Sequence, residues 1–135
     1  MTTTQRLKDE LNEYLLEMRP SASLSVVDSK QRAEVNLPTL AVEVSGVEPH
    51  SSVLPHVQRC QLTFKLRTHA GDESDYDIDS WIDQIESLLN DPSSIKQVVD
   101  ETVQIDYWIY NGSSQEWDES ILEVNFEAEC LCCRI

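Results

Sequence analysis

An α+β fold is what this 135-residue chain predicts: a two-layer sandwich in which two helices cover one face of a four- to five-stranded, mostly antiparallel sheet. Three observations carry that expectation. Several segments alternate apolar and polar residues, so their strands have one apolar face only. Two other segments carry a single apolar stripe at helical spacing. The elements run helix, three strands, helix, two strands, with no internal repeat or linker, and the length fits one domain over residues 1–135.

The first helix is expected over Gln5–Met18. Leu7, Leu11, Tyr14, Leu15 and Met18 form its stripe, Lys8, Asp9, Glu10, Asn12, Glu13 and Glu17 face water, Thr4 is the N-cap and Pro20 the stop. A short strand over Ala22–Val27 and a polar loop over Asp28–Glu34 follow. The second strand, Thr39–Ser45, points Leu40, Val42 and Val44 one way and Ala41, Glu43 and Ser45 the other. Gly46–Pro55, with two prolines, reads as an irregular loop. The third strand, Val57–Thr68, sets Cys60, Leu62, Phe64 and Leu66 against Gln61, Thr63, Lys65 and Arg67.

The second helix, Asp77–Leu89, has Ile78, Trp81, Ile82, Ile85, Leu88 and Leu89 as its stripe. Asp72, Glu73, Asp75 and Asp77 complement the positive end of its dipole, and Asn90-Asp91-Pro92 ends it. The fourth strand, Thr102–Tyr110, places Val103, Ile105, Tyr107 and Ile109 on one face. Asn111–Asp118 reads as a hairpin loop. The last strand, Ser120–Cys132, places Leu122, Val124, Phe126, Ala128, Cys130 and Cys132 on the apolar face.

Net charge is −15, from 25 acidic and 10 basic residues. That argues against a protein that grips phosphate, because nucleic-acid binders gather Lys and Arg on one face. No apolar run of about 18 residues offers a transmembrane helix. The charged N-terminal segment has no signal core, so the expectation is a chain that stays in the cytoplasm. Disulfides are then not expected. Cys130-x-Cys132-Cys133 lacks the paired spacing of zinc sites, so no metal is expected there, and Cys130 and Cys132 read as small apolar residues of a buried strand face.

Asp75-x-Asp77-x-Asp79, with Ile82, Asp83 and Glu86, matches the ligand spacing of a calcium-binding loop. Ser80 stands where that loop needs glycine, and Trp81, Ile82 and Ile85 belong to a helix stripe, so an acidic helix start is the better reading. With only three glycines, no phosphate-binding or nucleophile-elbow motif occurs. A His–Cys pair such as His69 with Cys60 stays open, but no nucleophile sits in a recognisable signature. No enzyme activity and no cofactor are expected. Trp108 and Tyr110 fall on the polar face by strand parity, with Trp117 in the adjoining loop; exposed aromatics of this kind anchor protein interfaces. The polar sheet face, with Glu43, Lys65, Arg67, Gln104, Asp106, Glu123, Glu127 and Glu129, faces solvent or another subunit.

The order of elements resembles that of the tail terminator (tail completion, minor tail) proteins of long-tailed bacteriophages. The resemblance rests on the amphipathic N-terminal helix and on Leu37-Pro38-Thr39-Leu40-Ala41-Val42-Glu43-Val44 entering a strand. It continues through the long strand Val57–Arg67, the helix Ile78–Leu89, and the closing strands joined through Glu116-Trp117-Asp118. It implies a virion protein assembled in the host cytoplasm into a ring, usually of six subunits. Such a ring caps the tail tube, meets the tail tube protein and the head–tail connector, and lets genomic DNA pass without specific binding. Asp106, Glu123, Glu127 and Glu129 are then expected to line the bore, where like charge keeps DNA sliding. Another phage neck or head-completion protein, or a monomeric acidic protein-binding module, is the alternative.

Overall fold

The computed structural model describes residues 3–19, 24–27, 38–51, 54–69, 75–91, 103–118 and 121–134. The elements are α1 (Thr3–Met18), β1 (Ser25–Val26), β2 (Thr39–Ser51), β3 (Leu54–His69), α2 (Asp75–Asn90), β4 (Val103–Asp118) and β5 (Ile121–Arg134). The five strands form one open mixed sheet in the order β1-β2-β3-β5-β4, so the fold is α+β as expected. β1 runs parallel to β2, and every other pairing is antiparallel.

Both helix stripes and the apolar sheet face meet in one hydrophobic cluster. Leu7, Leu11 and Leu15 of α1 and Ile78, Trp81, Ile85 and Leu89 of α2 are buried against Leu40, Val42, Phe64, Leu66, Val124 and Phe126. Met18, assigned to the α1 stripe from its spacing, is instead exposed at the last turn. α1 begins at Thr3, so Thr4 lies inside the helix and is not its cap. α2 stops at Asn90, where the Asp91 amide turns back to donate to the Leu88 carbonyl (3.3 Å). The expected loop 28–34 lies outside the described residues.

The strands run longer than their alternation suggests. Gly46–Pro55, expected as an irregular loop, is the far end of the β2–β3 hairpin, and register shifts between Ser45 and Glu48 and between Pro49 and Ser51 absorb its irregular residues. Pro49 pairs with Gln58 between the two register shifts, and beyond Leu40 the outer edge of β2 has no partner strand among the described residues. Of the expected first strand, Ser25 and Val26 pair among the described residues, held by Ser25 N–H to Pro38 O (3.2 Å) and Val27 N–H to Leu40 O (3.0 Å); residues 22–23 lie outside them.

β4 departs furthest from expectation. It continues through Asn111–Asp118, the stretch expected to be a hairpin loop. Asn111-Gly112 forms a bulge instead of a turn: the register shifts between Tyr110 and Gly112, and Gly112 has φ +110°, a conformation that favours glycine.

Candidate functional site

The open face of the sheet carries a cross-strand ion-pair network. In the β2–β3–β5 register, Thr39, Arg67 and Glu123 share a row, as do Ala41, Lys65 and Asn125. Lys65 Nζ lies 3.2 Å from Glu43 Oε2 and 4.0 Å from Glu123 Oε1, and Arg67 Nε lies 3.3 Å from Glu123 Oε2. Further along, Arg59 Nε meets Glu129 Oε1 at 3.2 Å. Two of the four acids expected to line a bore, Glu123 and Glu129, are therefore neutralised by β3 cations. Glu127 is exposed and has no ion pair among the described residues. Asp106 is the extra residue of a bulge between Ile105 and Tyr107. Beside Glu127 the face sinks into a polar trough of about 290 Å³, with Ser45, Gln61, Thr63, Asn111 and Glu129 around it.

That bulge corrects the placement of the aromatics. One extra residue reverses the parity of the strand, so Trp108 and Tyr110 turn toward the helices while Tyr107 and Ile109 turn out. Trp108, expected to be exposed, is buried, tilted against Phe64 with ring centroids 6.3 Å apart, and donates its Nε1–H to the Leu89 carbonyl at 2.8 Å. This satisfies a carbonyl that the end of α2 leaves open. Tyr110 is half-buried and donates to Glu86 Oε1 (3.0 Å), which also accepts from Ser113 Oγ (2.9 Å). Burial first, then the bond to Glu86, pushes the Tyr110 phenol up to about 12. Glu86, which the sequence offered only as part of a calcium-type spacing, is thus an anchor between α2 and β4.

Trp117 remains exposed, at 63 %, opposite Leu122 near the far end of β4. Tyr107 and Ile109, expected in the core, are 45 % and 40 % exposed, and Tyr107 stands opposite Leu131 on the open face. Tyr107, Ile109 and Trp117 all belong to β4, the terminal strand of the sheet, while the exposed Leu16 and Met18 belong to α1.

On the covered face, the Sγ atoms of Cys60, Cys130 and Cys132 all lie within 4.8 Å of one another, and Cys130 and Cys132 are 3.6 Å apart. Cys130 and Cys132 share a face at i and i+2, and Cys60 sits directly across from Cys130 on β3. The thiols of Cys130 and then Cys132 donate to Cys60 and lower its pKa to about 4, against burial. Cys130 is held far above the ordinary thiol range by its bonds to Cys132 and Cys60 and by burial. The sequence put Cys130 and Cys132 on the buried face; it carried no signal that Cys60 would join them.

The calcium-type spacing falls inside α2, so its carboxylates ride on a helix and do not form a ligand loop. His69 and Cys60, nine residues apart on one strand, are separated by about 30 Å, with Cys60 buried and His69 exposed. A groove of about 380 Å³ in the helix layer, lined by Met18, Asp83, Gln84, Ser87, Leu88 and Asp91, brings no cysteine or histidine to these carboxylates among the described residues.

No protein-family model matches this chain, and no curated protein is similar to it at a significant level. Among the described residues, no helix is long and apolar enough to cross a membrane.

Proposed function

We propose that this chain is a structural protein of a tailed-phage virion, forming a ring of most simply six copies that caps the tail tube and joins it to the head connector. The observation that carries this reading is the edge strand β4. It is 16 residues long, has a partner strand on one side only among the described residues, and carries all of Tyr107, Ile109 and Trp117 in exposed positions. A long edge of this kind is a liability for a solitary protein, because it templates pairing with another chain. In a ring it meets a different surface of the next copy, and the rotation closes.

The charge distribution supports the same reading and suggests which surface faces DNA. The centre of the open sheet face is compensated by Lys65, Arg67 and Arg59. α2 carries Asp75, Asp77, Asp79, Asp83 and Glu86 with no Lys or Arg. A bore walled by six copies of α2 repels DNA and lets it slide.

Native mass spectrometry across protein concentration, alone and with purified phage tail tubes, tests the proposal. A closed ring in either condition is expected, with loss of that ring in Ile109→Asp. A chain that stays monomeric in both mixtures overturns it and leaves the acidic binding module as the reading.

A further inference from the structure

We propose that Cys60, Cys130 and Cys132 form a three-sulfur binding site for one soft, thiophilic metal ion of low coordination number, for which Cu(I) is the probe. This inference is independent of the ring assembly proposed above.

The geometry comes directly from the register. Opposite residues on antiparallel strands have Cβ atoms about 4.5–5.5 Å apart, and i, i+2 residues on one strand share a face. Cys60 opposite Cys130, with Cys132 next on that face, therefore makes a triangle of sulfurs. Three donors held at about 2.3 Å from a common ion in a plane are about 4 Å from one another. The observed sulfurs, within 4.8 Å of each other with one pair at 3.6 Å, are already close to that spacing. Little rearrangement is needed to seat an ion.

The surroundings select the ion class. On β4, Trp108 lies directly opposite Cys130 and Ile105 directly opposite Cys132. Among the described residues no histidine or carboxylate joins the three sulfurs. Structural zinc takes four donors in a tetrahedron. A hard cation takes oxygen. Thiolates favour soft ions such as Cu(I), which is satisfied by three sulfurs. Metal–sulfur bonds replace the S–H groups present, so loading releases protons, and the ion's charge offsets the thiolates that burial would otherwise penalise.

The neighbouring rows argue against mere filling. Along the same face, β3 and β5 pair Leu62 with Ala128, Phe64 with Phe126, and Leu66 with Val124. Only the row of Cys60 and Cys130 places sulfur on both strands, and Cys132 extends it. A disulfide between any two would leave the third without a role; a metal uses all three.

The test uses a Cys133→Ser variant, so that of the four cysteines only the three in question remain. The reduced protein is refolded anaerobically with Cu(I) buffered by a competing chelator, and the metal is counted and read by X-ray absorption. One Cu(I) per chain with three sulfur neighbours is expected, with a rise in melting temperature over the copper-free protein. Cys60→Ala in this background is expected to weaken retention by at least about tenfold. Because that substitution also removes a side chain from the core, the sulfur count in its parent stands as the independent measurement. No retained copper, two sulfur neighbours only, or equal retention by a folded Cys60→Ala chain overturns the proposal.

Discussion

The two faces of this sheet are built from the same strands, yet they hold the molecule by different forces. On the covered face, Leu40, Val42, Phe64, Phe126 and Val124 have no exposure at all and lie beneath two striped helices. On the open face, Lys65, Arg67 and Glu123 keep about a fifth of their side-chain surface in water and hold each other through cross-strand ion pairs. Apolar burial is worth about 25 cal/mol per Å², whereas a partly exposed ion pair is worth only about 0.2–1 kcal/mol. Stability therefore belongs to the covered face. The open face and its β4 edge are left free to be specified by partners.

The sharpest way to break that contrast is to remove a central ring. Phe126→Ala is expected to lose about 3–5 kcal/mol in urea unfolding followed by circular dichroism, whereas Glu127→Ala, the adjacent residue on the other face, should change stability by no more than about 0.5 kcal/mol. Equal losses at the two positions would show that the faces are not distinct. Trp108→Phe comes next. It keeps most of the ring packing but leaves the Leu89 carbonyl without its donor, and is expected to lose about 1–3 kcal/mol.

Lys65→Met removes a cation placed between Glu43 and Glu123 and is expected to cost about 0.2–1 kcal/mol at low salt, less at high salt as screening weakens the pairs. A loss that does not respond to salt would mean that Lys65 acts through packing. Trp117→Ala should leave the melting temperature nearly unchanged and weaken assembly instead, as read by native mass spectrometry.

The contribution of Tyr110 is read only at high pH. Its folded pKa is raised above the ordinary value of 10 to about 12, so the stability it adds is fully present below pH 10 and is lost as pH rises through 12. Ultraviolet titration of tyrosinate is expected to show one late-ionising group, whose midpoint falls in Glu86→Gln. An unchanged midpoint would remove Glu86 as a cause.

Much of this architecture was legible in the residues, for an identifiable reason. β3 and β5 pair from Val57 to His69 without a register shift, so alternation in the sequence is alternation in space. Leu62, Phe64, Leu66, Val124 and Phe126 all fall where their parity places them. β4 was misread because it has two bulges. The shift at Asp106 exchanged Trp108 for Tyr107, and the one at Asn111 restored the original parity, so that Ser113, Gln115 and Trp117 return to the helix side. Asn-Gly serves a turn and a bulge equally well, since both need a backbone that glycine adopts at positive φ.

What the chain determined by itself was local: which segments are helix or strand, which face of each is apolar, and that two striped helices need a sheet to cover. Those properties repeat every two or 3.6 residues and need no knowledge of distant segments. Tertiary structure decided which strands are neighbours. It set Cys60 against Cys130 across seventy residues of sequence, left β4 at the edge, and gave Glu123 and Glu129 their cations. Strand adjacency depends on how the whole chain closes its loops and buries its apolar faces together, and no window of sequence contains that information.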